Sequence, residues 1–230
     1  MKTFRLASFN IGASAKMYGR YDETDLFAIA DLIKRCGADV AALQEVDRGC
    51  ARSGGVDMAS VIARRAGYRF RHFITIRPFQ GGKYGTAILS RFPITGRKTI
   101  NYDVRIAKQG TSCGYVTLDT GEGEVTVFNT HLSCESEEAN LETMRCLDGI
   151  LSGYGGELLC CGDFNTLPDV VAGHMHGVKL ANTSFCTYED RGIDNILYTG
   201  GFEVTDVSTV DATSEKISDH NMLICTVTVK

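Results

Sequence analysis

VAALQEV, residues 40–46, is an unbroken apolar run that ends on a glutamine and a carboxylate. Its length suits a strand, and the lack of any polar alternation marks a strand covered on both faces. Upstream, TFRLASFN (3–10) reads as a strand, and residues 24–36 set Leu26, Ile29, Ala30 and Ile33 at helical spacing before stopping at Cys36-Gly37. Downstream, residues 56–66 read as a helix ended by Gly67. Strands are expected at 68–76, 85–91, 112–118 and 124–132, and a helix at 137–151 with Leu141, Met144, Leu147 and Leu151 on one side. The last third is mostly strand, at 157–163, 193–198, 202–209 and 221–229. This order predicts an α/β fold of two sheets packed face to face with helices outside. A doubly wound nucleotide-binding sheet is set aside, because no glycine-rich strand-to-helix loop is present.

At 230 residues the chain is one enzyme-sized domain, 1–230, long enough to bury about 70 % of its surface in one core. No apolar run reaches the length of a membrane span. The opening MKTFRLASFNIG alternates like a strand and not like a signal peptide. Nine cysteines, without a Cys-x-x-Cys pair, predict reduced thiols and a cytoplasmic protein. Cys160 and Cys161, in ELLCCGD, read as small core residues. The net charge of −4 hides an asymmetry, since residues 48–108 alone carry +11 and the remainder −15. A basic segment beside a site attracts anionic ligands.

Seven segments end a strand-like run on a polar residue able to bind a metal or a phosphate: ASFNIG, LQEVD, GGKYGTAILSR, FNTHLS, GDFNT, RGIDNIL and SDHNM. Each unpaired polar group near a core costs free energy, so the repetition calls for a functional reason. Glu45, at the end of a buried strand, is a hard oxygen ligand suited to Mg²⁺. Asn10 offers an amide oxygen. Asp163 and Asn165, two apart, share one side of an extended segment; one can orient or deprotonate water while the other donates to a phosphate oxygen. Asn129 and His131 likewise share a face, and His131 can donate to a phosphoryl oxygen. Asp219 and His220 face opposite ways in a regular strand, Asp219 toward the metal and His220 toward substrate. His220 then needs a carboxylate to set its tautomer, for which Asp194 is the candidate. The His174-x-His176 pair is the one rival metal motif, read as a loop outside the site.

With GDFN and SDH following an early QE, the chain resembles the endonuclease/exonuclease/phosphatase superfamily. These are metal-dependent phosphoesterases that include DNase-I-like nucleases, inositol-polyphosphate 5-phosphatases and neutral sphingomyelinases. The resemblance runs from Asn10 to His220 and implies a four-layer α/β sandwich of two mixed sheets. It implies Glu45 as the principal Mg²⁺ ligand, with Mn²⁺ able to substitute and with Asn10 and Asp219 near the metal. It makes Asp163 the residue that aligns or deprotonates water, Asn165 and His131 phosphate contacts, and Asp194 the partner of His220. Asp163 and His220 both remain candidates for the base. The DNase-like branch carries an acid before its tyrosine, where this chain has Gly81, Gly82 and Lys83 ahead of Tyr84.

These readings predict a phosphate-ester hydrolase, monomeric and without a stable membrane anchor. A small or lipid-linked phosphodiester or phosphomonoester is favoured, with nucleic acid the alternative. Against nucleic acid stand the net acidity and the absence of tryptophan for base stacking. A non-catalytic binding module would be missing site residues, and none is missing. Arg48 and Arg52, on the glycine-rich loop after Glu45, are expected to grip the substrate together with Tyr84 and Asn129.

Overall fold

The computed structural model describes residues 2–12, 23–102, 104–108 and 111–230. Its elements in chain order are β1 (Thr3–Asn10), α1 (Glu23–Arg35), β2 (Val40–Arg48), α2 (Met58–Ala66), β3 (Phe70–Phe79) and β4 (Gly82–Ser90). Then come β5 (Ile94–Asn101), β6 (Ser112–Asp119), β7 (Glu124–His131), α3 (Glu137–Ser152) and β8 (Leu158–Asp163). The chain closes with α4 (Pro168–His174), β9 (Lys179–Leu180), β10 (Asp194–Tyr198), β11 (Phe202–Val210) and β12 (Met222–Val229). Two six-stranded sheets result, ordered β11-β12-β1-β2-β4-β3 and β5-β6-β7-β8-β10-β9.

Strand parity explains why the sheets stack. In β2, Val40 and Ala42 turn toward the second sheet, while Ala41 and Leu43 turn toward α1 and α2. Cys160 and Cys161 divide in the same way, Cys160 packing under α3 with Phe128 and Leu147 and Cys161 between the sheets. Three apolar layers therefore separate four layers of secondary structure, and the fold is an α/β sandwich with helices outside. The helices begin where their caps predict: Asp57 accepts from the Ser60 amide ahead of α2, and Ser136 from the Ala139 amide ahead of α3.

Three elements carry no clear signal in the sequence. β5 is an edge strand with mostly exposed side chains, β9 has two residues, and α4 is a short helix opened by Pro168. Segment 218–220 is a correction, because it lies outside the strand that begins at Met222, so strand parity does not set the directions of Asp219 and His220.

The topology decides where a site can form. Each sheet contains one parallel pair, β1–β2 and β7–β8, placing Asn10 opposite Gln44 and His131 opposite Asp163 in register. Both pairs end on the same side of the sandwich. There the inner faces change from apolar to polar, as Asn10, Gln44, Asn129, His131, Asp163 and Asp194 succeed Leu6, Ala42, Val127, Cys161 and Ile196.

Candidate active site

Buried polar groups must find partners, since an orphaned one costs roughly 1–3 kcal/mol. Here they find one another across the two sheets. The Asn10 amide donates to Oδ2 of Asp163 at 2.9 Å and accepts from the Gly12 amide at 2.9 Å. On the same carboxylate oxygen two imidazoles converge, His131 Nε2 at 3.5 Å and His220 Nε2 at 3.8 Å. His220 Nδ1 lies 2.8 Å from Oδ2 of Asp194. All four of these acid and imidazole groups are buried.

Burial and the neighbouring Asp194 charge raise the pKa of Asp163, against the pull of His131, His220 and Asn10. Burial alone would lower His220, but the bond to Asp194 and the charges of Asp194, Asp163 and Asp219 outweigh it and raise it to about 9. The ring is held further by Tyr188, whose centroid lies 4.7 Å away, and its backbone amide donates to Ser218 Oγ, which itself donates to the Asn10 carbonyl. Tyr188 lies outside every motif of the sequence, and Ser218, although part of the SDH motif, is given no role by it, because both roles depend on a loop closing over a distant strand.

Two candidate residues adopt left-handed backbone conformations, Glu45 at φ 58° and Asn165 at φ 52°. Glu45 sits where the β2–β4 register slips between Leu43 and Val46, a bulge that re-aims its side chain. Asn165 donates its side-chain amide to the Leu132 carbonyl and its backbone amide to Asp163 Oδ1, leaving one amide hydrogen at the site. Tyr84 brings its hydroxyl within 3.5 Å of His131 Nδ1. A side chain on Gly82 would strike Gly49 and the Arg48 carbonyl within 2.5 Å, so the loop after β2 packs directly on that glycine.

For a divalent cation the residues fit. Glu45, Asp219 and Asn10 are oxygen donors. A Cβ on Gly12 would come within 2.7 Å of Asp219 Oδ1, so glycine leaves that carboxylate its place at the end of β1. Among the described residues the one compact group of acids and histidines is Asp163, Asp194 and His220. His174 and His176 do not join one: His174 Nδ1 faces the Val170 carbonyl, and His176 Nδ1 pairs with Asp148 at 2.9 Å.

Three expected substrate contacts have partners within the protein. Arg52 is clamped by the fully buried Asp47 through two bonds of 2.7 and 2.8 Å, which spends its charge inside the protein. Arg48 pairs with Asp57 at 3.4 Å on the outer side of the sheet, over Phe73. Asn129 donates to the Leu43 and Ala87 carbonyls at 3.0 and 2.9 Å and accepts from Gln44 at 2.7 Å, so its amide joins the two sheets.

Arg77 was not singled out by sequence. Its guanidinium lies 4.6 Å from the Phe79 ring and 5.5 Å from the Tyr84 ring. Nε is buried without a hydrogen-bond partner, and no carboxylate pairs with it among the described residues. Arg52 approaches the same two rings at 4.7 and 5.4 Å. Tyr84 is thus flanked by one neutralised and one uncompensated guanidinium.

A model of the Endonuclease/Exonuclease/phosphatase family matches residues 7–220. The chain belongs to that family. No curated protein matches by sequence. Among solved structures, an endonuclease/exonuclease/phosphatase from Beutenbergia cavernae is similar at 22 % identity and TM-score 0.81, over 100 % of this chain and 72 % of its own. Sphingomyelinase C from Streptomyces griseocarneus is similar at 17 % identity and TM-score 0.69, covering 98 % and 99 %. A mannosyl-6-phosphatase from Bacteroides thetaiotaomicron gives 16 % and 0.70, also over 98 % and 99 %. At these identities the likeness is one of fold. Endonuclease/exonuclease/phosphatase proteins are hydrolases of phosphate esters. No helix among the described residues is long and apolar enough to cross a membrane.

Proposed function

We propose that this chain is a Mg²⁺-dependent hydrolase of a small or lipid-linked phosphate ester. The observation that carries the reading is the convergence of His131 and His220 on one oxygen of the buried Asp163, with Asp194 behind His220. Such a cluster costs stability unless something uses it. In this reading Asp163 holds the attacking water, aided by Asn10, which fixes the carboxylate. His131 and the spare Asn165 amide hydrogen bind the non-bridging phosphate oxygens, where charge accumulates as water attacks. Tyr84 orients His131 through Nδ1. Asp194 fixes the His220 tautomer so that Nε2 faces the reacting group and exchanges a proton there. Glu45 would hold the metal, with Asn10 and Asp219 beside it; bound there, Mg²⁺ supplies positive charge to the phosphate and the leaving oxygen.

Two features support a compact anionic substrate over a nucleic acid. Four arginines of the basic segment are cancelled by acids, Arg48 by Asp57, Arg52 by Asp47, Arg65 by Asp31 and Arg91 by Asp39. The uncompensated Arg77 beside Tyr84 suits a second anionic group on the ester. Purified protein assayed on bis- and mono-nitrophenyl phosphate should release nitrophenol with Mg²⁺ or Mn²⁺ and not with EDTA. No metal-dependent release from either ester would overturn the reading.

A further inference from the structure

A second cavity lies away from the site above. It is a cleft of about 830 Å³ wrapped round the open edge of β3, where that strand meets the facing edge strand β5. Arg71 on its wall precedes Arg77 by six residues on β3, which is about 20 Å along the strand. The catalytic constellation therefore does not use it.

Its walls are basic. Arg69, Arg71 and Arg97 all line the cleft, and none is paired with a carboxylate among the described residues. Among the described residues Arg71 donates to the Ser60 hydroxyl at 3.0 Å, and Arg69 packs 5.9 Å from the Phe70 ring. The one acid on the wall, Asp57, is already engaged by Arg48 at 3.4 Å. Between the arginines stands His72, whose Nε2 is buried without a hydrogen-bond partner. Three uncompensated guanidiniums sharing one cavity repel one another, an arrangement that an anion relieves.

We propose that this cleft is a second, non-catalytic binding site for a compact ligand carrying two or more phosphate-type groups. The volume falls in the range of roughly 300–1,000 Å³ typical of small-molecule sites. The charge is gathered round a pocket rather than drawn along a stripe, which disfavours a polymer. Guanidiniums bind phosphate oxygens in pairs, so Arg69 from the β3 side and Arg97 from β5 each take one group, with Arg71 and His72 further along β3 on the two faces of its edge. Phe70 and Phe73 add apolar surface to the lining, which an organic moiety can use.

The test is calorimetric titration in EDTA with two probes, inorganic pyrophosphate and ADP, and with orthophosphate as the single-phosphate control, on the wild type and the double variant Arg69→Gln/Arg97→Gln. Both residues are exposed, so the double variant should keep the wild-type melting temperature. Either probe should bind in one set of sites, about tenfold or more weaker in the double variant. Pyrophosphate alone would indicate an inorganic ligand, and ADP preferred would indicate an organic one. Binding should persist in His131→Ala, which removes a phosphate contact of the catalytic site. The His72 ring nitrogen resonances should shift on titration of the wild type. Absence of binding by both probes, loss of binding in His131→Ala but not in the double variant, or orthophosphate binding as tightly as pyrophosphate would each overturn the proposal.

Discussion

Oδ2 of Asp194 lies 2.8 Å from Nδ1 of His220, and the opposite ring nitrogen faces Asp163 at 3.8 Å. The two carboxylates reach the ring from opposite ends, so Asp194 acts on the reaction only through His220. Asp194→Ala and His220→Ala should each lower kcat by about 10²- to 10⁴-fold. The double variant should fall little further than His220→Ala alone. Additive losses would separate the two residues.

The elevated His220 gives a pH signature in the metal-free protein. Its folded value of about 9 exceeds the ordinary 6.5. Its contribution to stability is therefore complete below pH 6.5 and fades as pH rises through about 9. Urea denaturation in EDTA should show that decline, and it should shrink in Asp194→Asn, which removes the main partner. Titration of the His220 resonances would check the value directly.

Glu45 should matter for metal before it matters for chemistry. Millimolar Mg²⁺ should raise the melting temperature of the wild type by mass action, and Glu45→Gln should abolish most of that shift. The HxH pair should not contribute, so His174→Ala/His176→Ala should keep the wild-type response. The converse pattern would move the cation to the histidines.

The two guanidiniums beside Tyr84 should behave differently. Arg77→Gln should raise KM about tenfold for an ester bearing a second anionic group and leave bis-nitrophenyl phosphate turnover unchanged. Arg52→Gln strands the fully buried Asp47 and should cost about 3 kcal/mol of stability. Chemical denaturation and steady-state kinetics on both esters separate these outcomes.

Asn129→Ala should destabilise the fold by about 3 kcal/mol, because it removes the side-chain donor from the buried Leu43 and Ala87 carbonyls and leaves the Gln44 amide only its longer bonds to Ser8 and Ala42. Measured in denaturant, a loss below about 1 kcal/mol would show that water replaces the clamp.

Much of this arrangement is legible in the sequence, for a definite reason. Asp163, His131 and Asp194 stand at strand ends whose inner-facing alternation continues from Cys161, Val127 and Ile196, so parity aims them before any contact is known. The arginines are different. Arg52 stands close to Glu45 along the chain, but its direction is set by Asp47, whose burial follows from the sheet and not from its neighbours. Parity also treats Asn129 like His131, although one is two residues deeper and closed over by Leu43, Ala87 and Gln44. The exposed edge strand β5 lacks the apolar rhythm that reveals its neighbours.

The pairing of β1 with β12 has a kinetic side. Thr3 stands opposite Thr228, and the Asn10 carbonyl receives its bond from Ser218, which is 208 residues later. On the ribosome, β1 can pair with β2 early, but its other edge stays open until residues 222–229 have been made. The Ser218–His220 loop arrives with that last strand, so the polar cluster is completed only at the final stage of folding. A nascent chain halted before β12 would retain an unpaired apolar strand edge and have no activity. Such high contact order predicts slow folding and a dependence on chaperones during synthesis.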